Sequence, residues 1–158
     1  MSLQWTSEAM WRSKNASEDS LSCVEKKAIC LIVFSIYILV LLYITIFRFD
    51  FFYEERQLNL TLFVNLITIY RNEGVGRFVW LLVGNIAWFV PFGFLLPILS
   101  TRKNLFAVVA GGFLLSLFIE SIQFIFYKGV AELDDLILNV LGVVIGYIFY
   151  KMMSRLLL

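Results

Sequence analysis

The stretch Ala28–Phe47 reads AICLIVFSIYILVLLYITIF, twenty consecutive residues without one charged side chain. At 1.5 Å per residue it makes a helix of about 30 Å, the thickness of the hydrocarbon core of a bilayer. To be kept from water, a helix apolar on every face must be covered completely by other parts of the chain, and a chain of 158 residues has too little other surface to cover it. The remainder is of the same kind. Hydrophobic residues make up 61% of the chain and charged residues 16%, against roughly 45–50% apolar in a soluble domain. The 16 Phe, 7 Tyr and 4 Trp exclude intrinsic disorder. The chain is therefore expected to be an integral membrane protein. In lipid every backbone polar group must be satisfied internally, so its spans are helices.

Three more runs qualify as spans: Phe78–Leu99, Leu105–Tyr127 and Leu133 to about Met153. The fold class is all-α, a small bundle of four transmembrane helices. Leu58–Tyr70 is apolar but only thirteen residues long, too short to cross. It is read either as an interfacial segment or as a re-entrant piece between the first two spans. Residues 1–27 are polar and mixed in charge. They are expected to be a flexible cytoplasmic tail rather than a signal peptide, because the apolar run begins late and is long. Residues 28–153 form the membrane domain and 154–158 the C-terminal end.

Lys and Arg in the flanks set the orientation. With the N-terminus inside, Arg12, Lys14, Lys26, Lys27, Arg102, Lys103, Lys151 and Arg155 are cytoplasmic. Arg48, Arg56, Arg71, Arg77 and Lys128 are outside. The bias favours both termini in the cytoplasm, in a multi-pass membrane protein. A net charge of +1 leaves no basic footprint for nucleic acid. The absence of histidine removes Ser-His-Asp and Cys-His catalysis and His-ligated zinc. Cys23 and Cys30 lack the spacing of a metal clip and read as inert small residues, with palmitoylation of Cys23 as the alternative. No metal and no cofactor is expected.

Polar residues inside spans carry the functional signal, because burying them in lipid is costly. Glu120 is the only ionisable residue well inside a span. Counted from the outer ends, Asn85 and Glu120 lie about 10 Å deep, Asn139 about 9 Å and Gln123 about 6 Å. Asp135 sits near the start of the fourth span. The common depth points to one polar pocket open to the outside, lined by Asn85, Glu120, Gln123 and Asn139 with Asp135 at its mouth. The alternative is that the amides are interhelical glue and that Asp134 is merely a helix N-cap. Gly112, Ser116 and Glu120 recur at four-residue steps, as do Asp135 and Asn139, and Gly142 and Gly146. Small residues at that spacing let helices approach closely. Spans three and four are therefore expected to pack through their polar faces. Pro91 should kink the second span.

The ordered set Asn85, Phe89-Val90-Pro91-Phe92-Gly93, Glu120-x-x-Gln123 and Asp135-x-x-x-Asn139-x-x-Gly142-x-x-x-Gly146 resembles the VanZ-like family. Leu58-Asn59-Leu60-Thr61-x-Phe63 is similar to the family's segment after its first span. The resemblance covers roughly residues 28–150. Two departures stand out. Leu62 occupies a position where many members carry proline. The stretch Lys128–Glu132 lacks the arginine that many carry before the acidic pair; if that arginine holds an anionic group in the family, this chain must use Lys128, Arg48 or nothing. The resemblance brings Arg48 and Asn59 into the pocket, and Pro91 and Gly93 into the helix-packing set with Gly112, Ser116, Gly142 and Gly146. It implies an association with low-level resistance to teicoplanin. That class of drug bears a lipid tail and acts at lipid-linked wall precursors in the outer leaflet. Partners would then be membrane lipids, a lipid-linked cell-wall precursor or the lipoglycopeptide itself.

Two main functions are open at this point. One is a non-enzymatic protein that binds an amphiphile in the outward pocket and lowers drug susceptibility. The other is an intramembrane enzyme acting on a lipid-linked precursor, with Glu120 as catalytic general acid or base and Asp134, Asp135 and Glu120 available to hold a divalent cation. A small transporter or flippase subunit is a third, lesser reading.

Overall fold

A computed structural model of the chain describes residues 24–47 and 54–156. Four helices are long and apolar enough to cross a membrane: α1 (Val24–Ile46), α3 (Val75–Leu99), α4 (Leu105–Ile125) and α5 (Leu133–Leu156). Between α1 and α3 lie a three-residue strand, β1 (Gln57–Asn59), and a short helix, α2 (Val64–Glu73). A second strand, β2 (Val130–Glu132), joins α4 to α5. The four-span expectation holds, with shifted ends. The first helix is already formed at Val24, the second span opens at Val75 rather than Phe78, the third closes at Ile125 rather than Tyr127, and the fourth runs on to Leu156. Residues 1–23, with Cys23, and Arg48 lie outside the described residues.

The bundle is held by two kinds of seam. Along α3 and α5, backbone meets backbone. A Cβ on Gly142 would overlap the Ile86 carbonyl, one on Gly146 the Val90 carbonyl, and one on Gly93 the Val143 carbonyl. The pairs Ile86–Gly142 and Val90–Gly146 advance together, so the two helices run parallel. The fourth span's glycines therefore turn to the second span and not to the third, a correction to the sequence reading. Gly142 and Gly146 lie four residues apart opposite carbonyls also four apart, and only small residues permit that approach. Along α4 and α5 the pairing descends instead: Gly112 against Val143, then Ser116 against Asn139, then Glu120 against Glu132. These two helices are antiparallel and meet through α4's small and polar face, as expected.

Apolar side chains fill the centre: Leu41 of α1, Phe89 and Phe92 of α3, Val108 and Ile119 of α4, and Val143 and Tyr147 of α5. On α1 only one stripe joins this core, with Phe34 and Tyr37 beside Leu41. Ile29, Ile32, Ile36 and Leu39 face outward, as a helix against lipid must. The second span continues as one helix through Pro91 and Pro97. Pro91 has no N–H and its ring crowds the preceding turn. Beside that gap the Tyr37 hydroxyl donates to the Trp88 carbonyl at 2.7 Å.

The segment 58–70 matches neither half of the sequence expectation alone. Its first residues pair in parallel with the connection before α5: Gln57 opposite Val130, Leu58 opposite Ala131, Asn59 opposite Glu132. Three-residue strands carry little hydrophobic pattern, so the sequence did not announce them. The backbone then turns at Phe63, which is left-handed with φ 57°, and α2 follows, packed against α3.

Candidate functional site

The π-helical turn Tyr43–Phe47 ends the described part of α1 and opens the site. Lower down, α1 is fixed to α3 by Tyr37 on Trp88 and by the Phe34–Phe92 ring contact, 5.7 Å between centroids. Higher up it is fixed to α4 instead, where Gln123 Nε2 donates to the Thr45 carbonyl at 3.0 Å. A wedge is left between α1 and α3. Ile44 and Thr45 form one side, and Trp80, Val83, Gly84, Asn85 and Trp88 the other. Asn65, Leu66 and Ile69 of α2 also line it, and Val130, Glu132 and Asp135 close its inner wall. The cavity has a volume of about 880 Å³. From Gly76 to Trp88 it follows α3 for about 18 Å. Trp80 and Val83 are more than half exposed on the outside of the bundle, so the wedge is continuous with the lipid-facing surface.

Amides orient its two carboxylates. Asn85 Nδ2 donates to Asp135 Oδ1, and Asn65 Nδ2 donates to Glu132 Oε1 at 2.7 Å. Glu132 lies outside the spans. Its partial burial raises its carboxyl above the usual range, the Asn65 hydrogen bond works in the opposite sense, and the Asp134 charge raises it further. Arg77 lines the same cavity and pairs with Glu73 at 3.5 Å on the exposed face of the helices, and Lys128 contributes a second basic side chain to the lining.

The predicted pocket residues separate into two groups. Asn85, Gln123 and Asp135 line the cavity together. Glu120 stands behind its wall: it is 8% exposed, and its Oε2 accepts the Glu132 backbone N–H at 3.1 Å. Asn139 departs from the expectation. It is buried in the α4–α5 seam, donating to Ser116 Oγ at 2.9 Å: it shares a helix face with Asp135, but one turn further along the neighbour of that face is α4 and not the wedge. Asn59 is in β1, where its side chain accepts from the Thr61 backbone N–H at 3.1 Å. It closes its own loop and does not line the cavity. Arg48 is outside the described residues.

The sequence reading missed several residues. Asp134 is not a helix cap. It is 2% exposed, and both its oxygens accept the Phe63 backbone N–H, at 2.9 and 3.0 Å. That contact pins a left-handed backbone that a non-glycine residue adopts only at a cost of order 1–3 kcal/mol. With Asp134 so committed, the three-carboxylate cation site considered for an enzyme does not form. Among the described residues no three His, Cys, Asp or Glu side chains are placed to hold a metal ion. Asn65 and Glu132 were passed over because each sits in a connection rather than a span. At the end of α4, Tyr127 takes a left-handed turn (φ 57°) and the Lys128 N–H returns to the Gln123 carbonyl at 3.0 Å. This helix-ending bond, usually built on glycine, directs the chain into β2 and the inner wall.

Residues 34–154 match the model of the VanZ/LLP1 family. Over 127 residues the chain is 29% identical to Protein VanZ of Enterococcus faecium, covering 77% of this chain and 73% of that protein. No solved structure matches.

Proposed function

The chain belongs to the VanZ/LLP1 family of membrane-spanning proteins, and from that premise we propose that it binds an amphiphile in the wedge between α1 and α3 and thereby lowers susceptibility to lipoglycopeptides such as teicoplanin. The supporting observation is the cavity of about 880 Å³, polar along its inner wall and open toward lipid along α3. Its size falls in the roughly 300–1,000 Å³ range of small-ligand sites. An aqueous ligand would have no use for a lipid-facing side. A pure lipid contact would have no use for Asp135, Asn85, Gln123 and Glu132. A molecule with a polar head and an apolar tail uses both. Lipid-linked wall precursors and lipid-tailed drugs both have that form.

The Lys and Arg distribution supports an outward mouth, with both termini in the cytoplasm. A cysteine placed at Ser154, in a background without Cys23 and Cys30, should resist membrane-impermeant labelling of intact cells. Strong labelling would move the wedge to the cytoplasmic face.

Expression in a teicoplanin-susceptible Gram-positive host tests the function, with susceptibility normalised to membrane-protein level. Protection is expected against teicoplanin and reduced or absent for a glycopeptide without a lipid tail. Equal protection against both, or against neither, would contradict the amphiphile reading.

A further inference from the structure

Pro91 leaves one carbonyl of α3 without its helical partner. In a helix each N–H bonds to the carbonyl four residues earlier. Proline has no N–H, so the donor that would meet the Ala87 carbonyl does not exist. The same ladder assigns the adjacent donors elsewhere, Val90 to Ile86 and Phe92 to Trp88. The Tyr37 hydroxyl, which reaches this turn from α1, also goes to Trp88. In hydrocarbon no water replaces a missing donor, and a bare carbonyl is costly there.

The neighbouring carbonyls fix where this one points. Successive carbonyls turn by about 100° around a helix. The Ile86 carbonyl faces Gly142 of α5, and the Trp88 carbonyl faces Tyr37 of α1. The Ala87 carbonyl therefore points between α5 and α1. On that side Ala87 lines the wedge with Trp80, Val83 and Gly84. Ala87 is exposed, and its methyl is too small to cover its own backbone. Two residues past Asn85, the carbonyl lies about 3 Å further along α3, beyond the polar wall of Asn85 and Asp135 and near the Trp88 end of the cavity.

We infer that the Ala87 carbonyl is a binding group of the wedge, and that it accepts an N–H at the junction of the ligand's head and chain, as an amide-linked acyl chain carries. This rests on the amphiphile reading above and narrows it to a chemical class. An ester at the same place brings only acceptors, so two unpaired oxygens would face each other in a dry site. An amide N–H is itself costly to leave unpaired there, and the pairing satisfies both groups. The acceptor is backbone of the helix held by the α3–α5 seam, so little order is lost when it binds.

The test uses the purified full-length protein, delipidated in detergent and titrated in native mass spectrometry. The probes are N-lauroylethanolamine and the lauric monoester of ethylene glycol, which differ only in an N–H against an oxygen. The amide is expected to bind about tenfold more tightly. Pro91→Ala supplies the missing N–H and returns the Ala87 carbonyl to the ladder. It should lower amide binding to the level of the ester and leave ester binding as it was, which also reports an intact wedge. Pro97→Ala restores a donor to Gly93, which lies in the seam and not in the wedge, and should keep the preference. Equal binding of the two probes by the unaltered protein would overturn the carbonyl assignment and leave the amphiphile reading standing. Binding of neither would overturn both. A preference that survives Pro91→Ala would overturn the placement at Ala87. Its loss in both proline variants would show that helix shape sets it, and would overturn the placement as well.

Discussion

Gly84 and Gly93 lie on the same helix in opposite circumstances. A Cβ added to Gly93 would collide with the backbone of Val143, whereas one added to Gly84 would meet nothing within 4 Å. The first belongs to the α3–α5 seam, where two parallel backbones touch. The second belongs to the wedge, where no described residue comes within 4 Å of the added carbon. The seam has no slack, so it fixes the bundle. The wedge is bounded by single polar contacts, Gln123 on Thr45, Asn85 on Asp135 and Asn65 on Glu132, so it can admit a ligand without disturbing the seam. Glycine means close packing in one place and open volume in the other, and only the neighbours tell them apart.

The largest effect is expected at the seam. Gly146→Ala places a methyl into the Val90 carbonyl, and neither backbone can yield without separating α3 from α5. A loss on the order of 3 kcal/mol is expected, read as a lower thermal unfolding midpoint in detergent and reduced membrane level. Unchanged stability would mean that the seam has slack and that the contrast with the wedge fails.

Asp134→Ala should act next, and locally. It leaves the Phe63 N–H without its acceptor, at about 1–3 kcal/mol, and frees the left-handed turn between β1 and α2. Hydrogen exchange should accelerate across residues 57–66 while amides of α3 and α5 keep their protection. Uniform acceleration would show that the two regions unfold as one.

Glu120 sharpens the boundary between the regions. Glu120→Leu removes the acceptor for the Glu132 N–H and should cost about 1–2 kcal/mol. Glu120→Gln keeps an acceptor oxygen of the same reach, so β2 should persist at nearly normal stability. A Gln variant as unstable as the Leu variant would show that the charge, and not the hydrogen bond, matters to the fold.

The smallest effect concerns pH. Burial raises the Glu132 carboxyl above its ordinary value of 4.5, so the folded protein binds that proton more tightly than the unfolded chain. Its contribution to stability is fully present below 4.5 and is lost as pH rises through the raised value. Glu132→Gln should flatten the stability–pH profile over that window. An unaltered profile would place the titration elsewhere.

Most of the membrane architecture was legible because length and apolarity alone decide a span. Ala28–Phe47 needs no context to be read. Asn85, Gln123 and Asp135 were legible for a related reason, since a polar group in a span is rare and its depth follows from counting. Asn139 has the same signature and a different role. Depth gives height along the membrane but not which neighbour a helix face meets, and one turn along the same face of α5 the neighbour changes from the wedge to Ser116 of α4. Gly142 and Gly146 were recognised as packing residues but given the wrong partner for the same reason. Asp134, Asn65 and Glu132 were hidden because their meaning lies in contacts between connections 67 to 71 residues apart.

The central claim is that the wedge binds and the seam only supports. Gly84→Phe tests it most directly. The open space beside Gly84 accepts a large side chain, and replacing a mid-helix glycine carries no propensity penalty. The variant should reach the membrane at the normal level with an unfolding midpoint at or above that of the parent protein. It should also lose protection against teicoplanin in the susceptibility titration. Full protection from a Gly84→Phe protein present at the normal level would contradict the account, because a filled wedge would then still function.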